Sequence, residues 1–210
     1  IPVTVYHAGA PDSVRAFVAN RGTDIVGRYA QRFQAGREAD RLRVTLAPIE
    51  RASPSSYARP GLIALRHSVQ ADTSLYDLLA HETAHLWWTD AHNPMSRHNF
   101  LNESFAEYET WEAVRAAYGA AAAAPRVEKA RKKAKKAPSF YDWTPKYDGM
   151  LSYNKGPLLL QRLHDRIGDD DYLNFLRRLQ RNEVSTLEEM IATLRAVTSP
   201  DTAQWFKSTL

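Results

Sequence analysis

The sequence predicts an α+β fold, and two observations predict it. Strand signals cluster in the first third of the chain, and helical periodicity takes over from Asp72 onward. The expected arrangement is a small N-terminal sheet lobe over residues 1–70 and a mostly helical lobe over residues 71–210. In the first third, "PVTVYH", "RLRVTLAP" and "GLIALRH" carry the β-branched, alternating pattern of strands. Between the first two, Val14, Phe17, Val18, Ile25, Tyr29 and Phe33 recur at helical spacing, with Gly36 as a stop.

Past Asp72 the elements are helices. One is expected over about 73–88 and another over about 103–118, ending near Gly119. The alanine run 120–124, before Pro125, reads as a helix connection. A helix over 157–167 has Pro157 in its first turn and stops at Gly168. Ser185 and Glu188 have capping-box spacing, and Ser199-Pro200 opens a final short helix.

The chain has 210 residues, 44% hydrophobic and 25% charged, enough for one sizeable core or two small lobes. No apolar run approaches the ~20 residues of a membrane span. The absence of cysteine excludes disulfides and thiolate metal sites. The net charge of +4 is local. Residues 126–136 hold seven basic residues and one acidic, so the remainder of the chain is slightly acidic. Arg126, Lys129, Lys133 and Lys136 share one helical face, and Val127, Ala130, Ala134 and Ala137 another. This reads as an amphipathic helix with a solvated basic side. No aromatics are interleaved for base stacking, so no nucleic-acid partner is expected. No signal peptide is recognisable, and a chain that starts at Ile1 reads as a processed or excised domain; the absence of cysteine is compatible with cytoplasm or periplasm.

The stretch "LLAHETAHLWWTD", residues 78–90, carries the chemistry. Residues four apart on a helix lie on one face, so His81 and His85 can converge on one ion. A catalytic zinc keeps one coordination position open, and Glu82, beside His81, can reach water bound there. The alternative is a helix with two ordinary hydrogen-bonded histidines, and a third ligand decides between them. Glu103, in "HNFLNESFAEYETWEAV", heads the next helical pattern, with Glu107 one turn later on the same side. Glu107 could accept a hydrogen bond from a ligating histidine. Spacing alone equally allows Glu103, Glu107, Glu109 and Glu112 to form a solvated acidic face.

"HETAH" followed by "LNESFAEY" resembles the gluzincin metallopeptidases, in particular the membrane alanyl aminopeptidase and leukotriene A4 hydrolase family. Its members carry H-E-x-x-H, about eighteen residues, then a glutamate ligand within L-N-E-G-F-A. Here seventeen residues separate His85 from Glu103. "SYNKGPLLLQRL" resembles the family's Y-x-K-G-x-x-x-L stretch. The flanks are similar more loosely: "YARPGLIALRHS" to the strand beside the substrate, and "TLEEMIATLRAVTSPDTAQWFKSTL" to the closing helices. The resemblance implies a thermolysin-like catalytic domain over residues 1–210, with a zinc cleft between its lobes. It implies one zinc per chain on His81, His85 and Glu103, with Glu82 as general base and Tyr153 on the oxyanion. An edge strand near 61–67 would hold a peptide or protein substrate as an added strand. The family's flanking β and helical domains lie outside this chain.

Two departures bear on specificity. The family's G-x-M-E-N loop, whose glutamate binds the substrate amino terminus, is replaced by Ser55-Ser56-Tyr57-Ala58-Arg59-Pro60-Gly61. The glutamate aligns with Ala58, and Arg59 and Arg66 make the region cationic, so endopeptidase or relaxed specificity is expected. Glu50, or an acid from a flanking domain, is the alternative. The expected substrate-binding positions are Ala58, Arg59, Gly61 and Leu62. His98 stands where the family often has an acidic residue, as an outer neighbour of the metal or an exposed loop histidine. Two other readings share the scaffold: a peptide-binding module with little turnover, and an epoxide or ester hydrolase. Retention of Glu82 and Tyr153 argues against the first, since binding alone needs neither.

Overall fold

The first 84 residues carry β1 (Val3–His7), α1 (Asp12–Phe33), β2 (Leu42–Pro48), β3 (Tyr57–Arg59), β4 (Leu62–His67) and α2 (Thr73–Ala84). The structure, a computed structural model, describes residues 1–34, 41–48, 56–67, 70–88 and 93–210, with backbone alone at 47, 48, 66 and 67. Gly36, Glu50, Ser55 and the Arg66 side chain therefore lie outside the described residues. The chain divides into two compact units, Ile1–Gln31 with Gly36–Trp87, and Arg32–Ala35 with Trp88–Leu210. The helix α2 belongs with the sheet, whereas the sequence places the division after residue 70.

The first unit is a four-stranded sheet in the order β1-β2-β4-β3. β1, β2 and β4 are parallel, and α1 supplies the crossover that a parallel β1–β2 pair requires. Leu42, Val44 and Leu46 of β2 and Ile63 and Leu65 of β4 are buried, at the period of two that puts them on one face. Val14, Val18, Ile25, Val26 and Tyr29 supply the buried stripe of α1. Gly22 permits a close approach, since a Cβ there would lie 3.3 Å from Val3. Tyr29 Oη donates to the Ala80 carbonyl at 3.3 Å, and its ring meets Trp87 edge-on at 6.0 Å. The helix α2 is thus fastened to α1.

Two expectations are corrected in this unit. The segment 61–67 is not an edge strand: β4 lies between β2 and β3. Pro60-Gly61, with Gly61 at φ 70°, turns the chain so that Tyr57–Arg59 folds back antiparallel onto β4 and becomes the edge. The helix α2 ends before 88. Leu86 N–H donates to Thr83 and Trp87 N–H to Ala84, three-residue bonds that tighten and close the last turn. At its start, the Asp72 carboxylate accepts from Ser74 and Leu75 N–H, both at 3.0 Å.

The second unit is helical: α3 (Phe105–Tyr118), α4 (Ala120–Ala134), the single turn α5 (Asp148–Met150), α6 (Gly156–Arg181), α7 (Leu187–Val197) and α8 (Pro200–Thr209). Its core is aromatic. Phe100 meets Phe105, Phe140 and Phe206 edge-on at 5.7, 5.0 and 6.2 Å, and Trp88 stacks on Phe105 at 4.4 Å. Glu109, fully buried, pairs with Arg32 at 2.9 Å.

Gly119 and Gly168 break helices as expected, at φ 85° and 79°. The helix resumes after Gly168, burying Tyr172, Phe175, Leu176 and Leu179. Ala120–Ala124 opens α4 and is not a connection, because Gly119 already breaks the chain and the helix continues through Pro125. The lysines of α4 are exposed and Val127 and Ala130 buried, but Arg126 leaves the solvated face to pair with Glu107 at 3.2 Å. The capping box is Thr186 with Glu189, one residue later than expected, because α7 starts at Leu187. Backbone donation from Ser185 holds the Glu189 carboxyl below its ordinary range. Ser199 caps α8 as expected.

Two π-helical turns, Phe100–Ser104 and Leu151–Lys155, lead into α3 and α6. They pack back to back: Ser104 Oγ donates to the Ser152 carbonyl at 2.8 Å, and Gly156 abuts the Ser104 side chain. A Cβ on Gly156 would lie 2.5 Å from Ser104 Cβ, closer than packed atoms allow. Gly156→Ala should therefore destabilise the chain by about 1–3 kcal/mol, despite the better helix propensity of alanine. Urea unfolding measures this, and an unchanged or raised midpoint would refute the close packing of the two turns.

Candidate metal centre

His81 lies in the last turn of α2, and His85 is its C-cap. The cap keeps helical dihedrals, φ −65° and ψ −6°, so the one-turn spacing survives the end of the helix. The two Nε2 atoms are 3.2 Å apart, and the rings stand edge to face at 85°. Nitrogens bound about 2.0–2.1 Å from a tetrahedral zinc are about 3.3–3.4 Å apart. The pair already has the span that a shared ion requires. Glu82, next to His81, is 6% exposed, a buried carboxylate in a helix of mostly apolar neighbours.

Glu103 sits in the first π-helical turn, half-buried, and its Oε1 accepts from Asn102 Nδ2 at 3.1 Å. A π-turn adds a residue to the helical repeat and re-aims the side chains it carries, which is why such turns recur at functional sites. His81 and His85 lie in the first unit and Glu103 in the second. Two imidazoles and a carboxylate are the donor set of hydrolytic zinc sites.

Tyr153 occupies the second π-turn and is 39% exposed. The turn is anchored on both sides. Lys155 Nζ donates to the Pro138 and Leu210 carbonyls at 2.9 and 3.0 Å, and Asn154 Nδ2 to Gly149 at 2.7 Å. Burial lowers the pKa of the Lys155 ammonium, with Asp142 opposing. On the sheet, Ala58 is buried between exposed Tyr57 and Arg59. Arg59 folds back over its own strand, donating to the Ala58 carbonyl at 2.8 Å with its guanidinium 5.5 Å from the Tyr57 ring. The Gly61 carbonyl accepts from Arg43 N–H at 2.9 Å, and Leu62 pairs with both neighbouring strands. Gly61 and Leu62 are thus interior to the sheet, and Ala58 and Arg59 lie on an edge strand among the described residues.

Solved structures share this arrangement of elements. Yeast leukotriene A4 hydrolase superposes on 99% of this chain and 36% of its own, with a TM-score of 0.78 at 16% identity. An M1 zinc metallopeptidase from Deinococcus radiodurans covers 99% of this chain and 47% of its own, with a TM-score of 0.70 at 15% identity. A variant of the Deinococcus enzyme bound to a Tyr-Ser-Ala substrate gives a TM-score of 0.75, also at 15% identity. The fold is that of M1 zinc metallopeptidases. This chain spans half or less of the length of these neighbours. No protein-family model and no curated protein sequence matches it.

The remaining expected residues have definite places. Glu107 Oε1 accepts from Trp111 Nε1 at 3.0 Å and from Arg126 at 3.2 Å, so the carboxylate is oriented by α3 and α4. His98 is not a bare loop residue: its Nδ1 accepts from Leu187 N–H at 3.1 Å, serving the start of α7. Sequence reasoning passed over Asn99, Asn102, Asp148 and Ser152, which are joined by hydrogen bonds next to Glu103 and Tyr153. Their three- and four-residue spacings were the available signal.

The histidine geometry gives a direct expectation. Zinc at a hundred times its Kd should stabilise the metal-free chain by about 2.7 kcal/mol. His81→Ala and Glu103→Ala should each lose most of that shift at the same zinc concentration. Thermal unfolding with and without zinc checks it, and a full shift in Glu103→Ala would remove Glu103 from the ligand set.

Proposed function

We propose that this chain is a zinc-dependent peptidase of the membrane alanyl aminopeptidase and leukotriene A4 hydrolase type, with a thermolysin-like catalytic domain. The observation that carries the reading is the 3.2 Å separation of His81 and His85 Nε2. The shared fold supports it, and the Tyr-Ser-Ala substrate in the Deinococcus structure points to peptides as the substrate class.

His81, His85 and Glu103 would hold one zinc ion, which supplies Lewis acidity and a water of lowered pKa. Glu82 removes a proton from the attacking water and delivers it to the departing amine. Its burial keeps bulk water from competing for that proton. Tyr153 donates its phenolic hydrogen bond to the carbonyl oxygen as charge develops there, which stabilises the transition state more than the ground state. Glu107 would orient a ligating histidine. The strand β3, an edge strand among the described residues, would take the substrate backbone by strand addition.

Ala58 replaces the carboxylate that would hold a substrate ammonium, and Arg59 adds positive charge beside it. The chain therefore accepts blocked or internal peptide bonds.

Glu82→Gln should keep zinc and lose hydrolysis, because only proton transfer is removed. Tyr153→Phe should keep zinc and lower turnover by roughly 10²–10³. Metal analysis beside peptide assays separates the two effects, and unchanged turnover in Tyr153→Phe would make Tyr153 a packing residue. Matched peptides with free and acetylated termini test the specificity. An ammonium–carboxylate contact contributes about 2–3 kcal/mol, so its absence should bring the two rates to within about tenfold. A hundredfold preference for the free amine would show that another acidic group has taken the role.

A further inference from the structure

Asp148 lies in the one-turn helix α5, five residues before Tyr153 and far in sequence from Glu103. Its carboxylate accepts from three side chains. Oδ1 accepts from Trp143 Nε1 at 2.9 Å, from Ser152 Oγ at 2.9 Å and from Asn99 Nδ2 at 3.1 Å. Oδ2 accepts from the same Asn99 nitrogen at 3.1 Å. Asn99 is buried, at 6% exposure. Its own oxygen accepts from Asn102 Nδ2 at 3.2 Å, and that nitrogen also donates to Glu103 Oε1 at 3.1 Å.

The order of donors and acceptors in this chain is not arbitrary. A primary amide can present either its oxygen or its NH₂ in a given direction, and nothing in the shape of asparagine decides which. An ionised carboxylate can only accept. Asp148 therefore turns the NH₂ of Asn99 toward itself and the oxygen of Asn99 outward. That oxygen in turn requires the NH₂ of Asn102. The NH₂ so fixed is the group that meets the Glu103 carboxylate.

We propose that Asp148 is a positioning residue for Glu103, setting through Asn99 and Asn102 the hydrogen-bond polarity that orients the carboxylate for metal binding. This rests on the reading of Glu103 as a ligand. The same carboxylate holds Ser152, the residue before Tyr153, so one acidic group braces both π-turns that carry the proposed chemistry. Asn102 donates to the carboxylate and so fixes its rotation about the side-chain axis, which a metal ligand needs before the ion arrives. In Asp148→Asn, Trp143 and Ser152 keep the oxygen at the Oδ1 position, so the new NH₂ occupies the Oδ2 position and opposes the NH₂ of Asn99 that Oδ2 had accepted. Asn99 must then reverse, Asn102 after it, and an amide oxygen is left against Glu103 Oε1.

The test is zinc affinity of the full chain, measured by competition with a chromophoric chelator, with urea unfolding of the metal-free proteins alongside. Asp148→Asn should weaken zinc binding roughly 10–100-fold. Asn102→Leu, which keeps the shape and removes the donor, should do the same, and the double variant should lose no more than either single one. Ser152→Ala removes a donor from Asp148 outside the amide chain and should leave zinc affinity unchanged. If Asp148→Asn fails to fold, Asn102→Leu alone decides. Native affinity in Asp148→Asn or in Asn102→Leu, or additive losses in the double variant, would overturn the proposal while native zinc binding kept the zinc reading intact. A native chain that binds no zinc would overturn both.

Discussion

Two imidazole nitrogens 3.2 Å apart are the constraint around which the first unit is organised. At that distance the lone pairs of two neutral rings repel unless one proton or one cation lies between them. The helix must hold the two rings in register. Asp72 starts α2, and three-residue bonds close it at His85 without altering the local dihedrals. Tyr29 fixes its middle through the Ala80 carbonyl, one residue before His81. The sheet beneath α1 supplies the rigid backing, since Val14, Val18, Ile25 and Tyr29 are fully buried.

In the second unit the same demand for fixed side chains is met by another device. Glu103 and Tyr153 lie in π-helical turns, each continuing into a long helix. A π-turn is less stable than the α-helix around it and persists where neighbouring groups over-determine it. Here Ser104, Gly156 and Ser152 lock the two turns to each other, and Lys155 ties the second to the carbonyls of Pro138 and Leu210. The groups that hold the fold near these turns are polar and directional, where the rest of the unit relies on aromatic packing.

Much of this was legible in the sequence because periodicity and spacing are local. The i,i+4 histidines, the strands at 3–7, 42–48 and 62–67, and the breaks at Gly119 and Gly168 each follow from a pattern a few residues long. What escaped was set by distant partners. The edge position passed to Tyr57–Arg59 because strand order depends on pairing across the sheet, which no single segment encodes. The π-turns have no composition signature, since they arise from contacts such as Ser104 with Ser152, 48 residues apart. Asn99, Asn102 and Asp148 read as ordinary surface polar residues until the fold joins them. Motif resemblance pointed to Tyr153 and to Glu103, which spacing alone left balanced against a solvated acidic face.

The central claim is that one ion is shared by two imidazoles and a carboxylate. X-ray absorption at the zinc edge, on chain loaded with one equivalent, tests it most directly. The account predicts two imidazole nitrogens and two or more oxygens, all at about 2.0–2.2 Å. A spectrum with one imidazole or none, or with only oxygen neighbours, would contradict it.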